Sequence, residues 1–231
     1  MKKLKKLLIL LLVSLSVIII YITNEKTPKI YLVLGDSYSM GINSYGGITY
    51  GYEDYLKDFF NTKEKTLLID NYTSKNKNII SLKNDILENN TIVVDKNSIN
   101  IRKELSQADY ITILIGLNDL IYEYNIDDNI NSYQEDKIVD YTFNKLDNLL
   151  KEIKKYRKEN IYVLTYPESN TKYNSLINKY NNKIKKQLKS KYIVIDNTKI
   201  LDKNTDYDMN SLYPNTNGYR KIAKNIQKNI R

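Results

Sequence analysis

Cysteine and histidine are both absent from the 231 residues, and glycine (7) and proline (3) are scarce. Without cysteine there are no disulfides, no thiolate metal sites, no cysteine nucleophile and no lipidated N-terminal cysteine. This says little about compartment, because a secreted domain of this size can fold without bridges. Without histidine the chain loses the commonest metal ligand and the commonest general base near neutral pH. The low glycine and proline content excludes collagen-like and Pro/Gly-rich disordered chains.

What is present describes a globular protein. Hydrophobic residues make up 42% and charged residues 27%, enough for a sizeable core in one domain of about 200 residues. Lys, Asn, Ile and Tyr are abundant, as AT-rich coding sequence would produce. The amino end, "MKKLKK", carries four lysines and is followed by an uncharged apolar run, Leu7 to Ile22. No small-x-small cleavage site follows, so an uncleaved transmembrane signal anchor over residues 1–23 is expected, ahead of a removed signal peptide. Lysines before the span place the domain outside the cytoplasm, at the cell membrane, or secreted if the segment is cleaved. Residues 24–29 read as a linker and 30–231 as one domain without internal repeats.

The net charge is +9, of which the amino-terminal lysines supply four. The rest lies along helix-like stretches such as "KEIKKYRK" (151–158), "KIKKQLKSK" (183–191) and "RKIAKNIQKNIR" (220–231). Solvated helix faces are the ordinary explanation, with attraction to anionic lipid heads or acidic wall polymers as the functional one. No stacking motif accompanies the charge, so nucleic acid is not an expected partner.

Apolar patterning predicts strands at 30–37, 66–72, 110–119, 161–167 and 191–197. It predicts helices at 51–60, 79–90, 99–109, 132–160, 173–190 and 217–230, and leaves 91–95 undecided. For the long helix, Ile138, Tyr141, Leu146, Leu149, Leu150 and Ile153 are the expected apolar stripe. The strands are continuous apolar runs alternating with helices, which fits a parallel sheet covered on both faces. Ligands in such folds bind beyond the carboxyl ends of the strands.

Three strand ends or loops there can carry chemistry. Gly35-Asp36-Ser37 can expose a serine hydroxyl at a strand-to-helix turn. Gly116-Leu117-Asn118 can aim an amide donor at an oxyanion. Tyr213-Pro214-Asn215, then Gly218-Tyr219, precede the last helix. Each alone is ordinary turn chemistry. In this order, "LGDSYSMG", "IGLNDL" and "YPNTNGYRKIA" together resemble the blocks of the SGNH family, also called GDSL hydrolases. The resemblance covers about residues 30 to 231.

The resemblance implies an α/β fold, a three-layer α/β/α, flavodoxin-like arrangement with a parallel five-stranded sheet. It implies hydrolysis of acyl or acetyl esters of lipids or carbohydrates, a small-molecule ester, lipid or glycan ligand, and no metal or organic cofactor. Ser37 takes the nucleophile position and Asn118 the oxyanion position. Asn76 falls near the family's oxyanion glycine, where a left-handed backbone would aim its N–H. The closing block departs from the family: Tyr213 occupies the histidine position and Asn210 the aspartate position. A phenol is protonated at neutral pH and donates rather than accepts a proton. No histidine exists elsewhere to take its place.

Two functions follow as expectations. One is an impaired or rearranged ester hydrolase, with Asp206, Asp208 or a lysine-depressed Tyr213 as substitute base. The other is a non-catalytic glycan- or acyl-binding pseudoenzyme using the same crevice. A purely structural membrane-anchored scaffold has no positive support in the sequence.

Overall fold

The protein is described by a computed structural model covering Ser14 and residues 27–94, 97–126 and 130–230. The expected amino-terminal anchor therefore lies outside the described residues. Among those described, no helix is long and apolar enough to cross a membrane.

Five strands form one sheet: β1 (Lys29–Gly35), β2 (Thr66–Ile69), β5 (Tyr110–Leu114), β6 (Ile161–Leu164) and β7 (Ile193–Ile195). Their order is β2-β1-β5-β6-β7 and every pairing is parallel. Four residues of β1 in a row, Tyr31 to Leu34, are fully buried. That continuous burial needs helices on both faces, and the connecting helices supply them. On one side α1 (Tyr52–Asn61) packs against α7 (Thr216–Asn229). On the other, α5 (Ser132–Ile153) packs against α2 (Ile79–Glu88), α4 (Leu117–Tyr124) and α6 (Asn174–Leu188).

The chain moves from β1 outward to β2, then reverses and fills the other side from β5 onward. The strand order thus turns between β1 and β5, the point where a crevice opens at the carboxyl edge of a doubly wound sheet. Ser37 follows β1 and Asn118 follows β5, so topology alone sets both at this opening.

Several expected boundaries change. Residues 91–94 and 97–100 form an antiparallel pair, β3 (Thr91–Val94) with β4 (Asn97–Asn100). The helix expected from residue 99 begins only at α3 (Ile101–Gln107), capped by the Asn100 side chain accepting from Lys103 N. The third strand ends at Leu114, and the Gly116 turn at φ 121° starts a separate helix, α4, that apolar patterning had merged into the strand. In α5, Tyr141 is exposed and lies under the Lys145 ammonium at 4.0 Å, while Val139 and Phe143 are buried. Positions 139, 143, 146, 150 and 153 share one helical face; position 141 points away from it.

Candidate functional site

Gly35 closes β1 where space is tightest. A Cβ there would lie 2.1 Å from Ser39 Oγ and 2.4 Å from Leu114 O, so the turn into Ser37 requires glycine. Asp36 caps the short 3-10 turn Ser37–Met40, accepting from Tyr38 N at 3.1 Å. Its second oxygen accepts from Tyr166 Oη at 2.6 Å and from Leu117 N at 3.2 Å. One fully buried carboxylate thereby ties together the chain segments after β1, β5 and β6. Burial pushes its pKa up to about 7 against the opposing hydrogen bonds. In the sequence Asp36 looks like turn chemistry alone, and the one signal of Tyr166 is its place at the end of an apolar strand.

Ser37 is fully buried, and its hydroxyl lies 2.9 Å from the Tyr213 hydroxyl. Residues 176 positions apart in the chain thus meet. Either hydroxyl can donate, but the phenol is the stronger acid and the better donor. Tyr213 is held by several contacts: its N–H donates to Ser211 Oγ, its carbonyl accepts from Ser44 Oγ, and its ring lies 5.5 Å from that of Tyr38. Tyr38 Oη in turn donates to Leu212 O at 2.6 Å.

Burial raises the pKa of Tyr213, the Ser37 bond opposes this, and the Asp36 carboxylate adds to the rise. The phenol therefore keeps its proton, which corrects the expectation of a lysine-depressed tyrosinate. Asp206 and Asp208 are also accounted for. Asp206 is fully buried, paired with the Lys221 ammonium at 2.6 Å, and accepts from Asn217 Nδ2 and Asp202 N. Asp208 accepts from Asn215 Nδ2 at 3.2 Å. Both brace the start of α7, and neither bonds to Ser37. Asn210 is solvent-exposed and is not one of the hydrogen-bond partners found for Tyr213.

Asn118 sits in the first turn of α4, but its amide is occupied. Nδ2 donates to Lys75 O at 3.0 Å and to Lys77 O at 2.9 Å, which uses both of its protons. The neighbouring Asp119 accepts from Ile79 N, the first residue of α2, and pairs with Lys145 at 3.4 Å. The expected free donor is therefore a clamp on the 75–77 loop. Asn76 is exposed and does not adopt the left-handed backbone expected of it; among the described non-glycine residues only Asn89, Asn160 and Met209 have positive φ. Asn76, Asn118, Ile80, Tyr122 and Lys145 line a pocket of about 300 Å³ whose lining does not include Ser37.

A serine after β1, an asparagine after β5 and a tyrosine before α7 thus mark the three places where the sequence motifs fall. The family model for GDSL-like Lipase/Acylhydrolase matches residues 31–226. The chain belongs to this GDSL family. Solved structures share the fold. The lipase Lip_vut3 from a goat rumen metagenome is 17% identical, with a TM-score of 0.66, covering 87% of this chain and 97% of that one. A mutant acetyl-xylooligosaccharide esterase from Geobacillus Stearmophilus is 15% identical, with a TM-score of 0.64, over 87% and 93%. A family 3 carbohydrate esterase from Clostridium thermocellum is 18% identical, with a TM-score of 0.58, over 87% and 94%. Among curated proteins, none matches. The GDSL chain thus stands with esterases and lipases in fold, while its own closing block carries a phenol.

Proposed function

We propose that this GDSL-family protein is held at the outer face of the cell membrane by its amino-terminal segment. There its Ser37 crevice meets ester-bearing lipid or envelope glycan, with hydrolysis strongly impaired. The observation that carries this reading is the 2.9 Å contact of Ser37 Oγ with a phenol that retains its proton. Ester attack needs a group that takes the serine proton as the bond forms. Tyr213 offers a proton instead, and the carboxylates of Asp36 and Asp206 are committed to other partners.

The magnitude of the deficit follows from general enzymology. Serine hydrolases that lose a triad member keep roughly 10³–10⁴-fold acceleration over water, from the oxyanion hole and binding. Complete enzymes commonly turn over at about 1–10³ s⁻¹. Here the oxyanion amide is also occupied, so even the residual term is reduced.

A second reading, a pseudoenzyme that binds the ester or glycan without cleaving it, is favoured by the full burial of Ser37 beneath Tyr213. Hydrolysis of p-nitrophenyl acetate by the detergent-solubilised full chain separates these readings from an active esterase. Because serine and base act as a unit, the Ser37→Ala rate should fall within about tenfold of wild type. Turnover on the order of 1–10³ s⁻¹ that disappears in Ser37→Ala would refute the impairment.

A further inference from the structure

The net positive charge of the domain resides on one edge of the sheet. Five segments lead into the amino ends of the strands: "TPK" (27–29), "TKEK" (62–65), "AD" (108–109), "KKYRKEN" (154–160) and "KSKY" (189–192). They carry nine lysines or arginines against three carboxylates. Backbone and side-chain bonds join them into one surface: Lys29 N to Lys65 O, Asp109 N to Ile30 O, Ile111 N to Asn160 O, and Lys154 Nζ to Lys191 O. At the opposite edge, segments 36–51, 70–78, 115–116, 165–173 and 196–215 carry five lysines against seven carboxylates. The domain is therefore electrically polar along the strand direction.

The basic edge is also open. Lys63, Lys65, Lys158, Lys189 and Lys191 are exposed, and no ion pair among the described residues involves them. The ion pairs found on this edge among the described residues are Lys29 with Asp109 and Lys155 with Glu152. Solvated helix faces would scatter such charge; here it gathers on strand-entry loops from distant parts of the chain.

This is also the edge where the chain enters. β1 begins at Lys29, and the uncharged run ends at Ile22. Residues 23–28 span at most ~20 Å when fully extended. A span in the bilayer would thus keep the basic edge near the headgroups, where an anionic surface attracts each lysine.

We propose that this basal face docks on the anionic phospholipid surface of the membrane that anchors the chain. The docked domain stands with its strands along the membrane normal. The Ser37 crevice, separated from the basal edge by the seven residues of β1, then opens on the order of 20 Å above the headgroups and faces away from the bilayer. The ligands within its reach are envelope polymers rather than lipids of the same leaflet. This rests on the membrane-side reading of the amino-terminal segment, and the test below separates the two.

Because the chain has no cysteine, single cysteines report cleanly. Full-length Ser190→Cys (basal) and Tyr45→Cys (crevice side) are placed in nanodiscs of phosphatidylcholine alone or with phosphatidylglycerol, and reaction with a water-soluble maleimide is timed. Ser190→Cys should react roughly tenfold more slowly with phosphatidylglycerol present, and high salt should abolish the difference. Tyr45→Cys should react at one rate in all discs. Reversing Lys63, Lys65, Lys189 and Lys191 to glutamate should free the basal cysteine. Equal basal rates in both discs, or protection of Tyr45→Cys, would overturn the proposal. So would basal protection produced by soluble poly(glycerol phosphate) but not by the lipid, which would make a wall polyanion the partner. Inserted chain with an open basal face refutes docking and keeps the anchor; uninserted chain recruited to phosphatidylglycerol vesicles keeps docking and refutes the anchor.

Discussion

At the scale of single residues, the site is decided by where protons rest. Ser37 meets a phenol that burial keeps protonated, and Asp36 beside it is itself pushed up to about 7. A second buried acid lies behind the site. Glu53 is buried in the first turn of α1, and its Oε2 has no hydrogen-bond partner. Burial pushes its pKa well above 4.5, with Asp54 and Asp70 adding to the rise. Because the folded pKa exceeds the unfolded one, the native state binds the extra proton. Its stability contribution is then full below the ordinary carboxylate range and is lost as pH rises toward the folded pKa. Glu53→Gln removes that loss. Thermal unfolding should show the variant about 1–3 kcal/mol more stable than wild type near pH 8, with the gain vanishing near pH 4.5. A constant difference across pH would mean that Glu53 does not titrate in this way.

At the scale of elements, the sequence made the strands legible because they are buried on both faces and read as unbroken apolar runs. It made α1, α5, α6 and α7 legible because each keeps a helical apolar stripe. It hid α4, whose eight residues follow a glycine without a side-chain cap and continue the apolar run of β5. It hid β4 because the i, i+4 pair Ile101 and Leu105 of α3 follows it without a break, so the helical reading runs back over Ile99. The serine, asparagine and tyrosine positions were legible from local motifs. The occupation of the Asn118 amide was not, since its acceptors are backbone carbonyls more than 40 residues away and no side-chain pattern encodes them. If that amide is a clamp, Asn118→Ala should cost about 0.5–1.5 kcal/mol of stability in denaturant unfolding, since one of its two hydrogen bonds is exposed and the other part-buried. An oxyanion donor would instead leave stability near wild type.

At the scale of the whole molecule, a doubly wound sheet presents one edge as a crevice and the other as the point of chain entry. The GDSL fold delivers Ser37, Asn118 and Tyr213 to the crevice edge through its topology, whichever side chains occupy those positions. On the reading proposed above, fold and chemistry come apart in this chain: the architecture persists while a phenol stands beside Ser37. Labelling of Ser37 by a serine-directed fluorophosphonate tests that separation most directly, because the reagent requires an activated hydroxyl and no particular substrate. The account predicts that Ser37 in the full-length wild type stays unmodified near neutral pH, and that Tyr213→His increases its labelling. Rapid stoichiometric modification of wild-type Ser37 would contradict it.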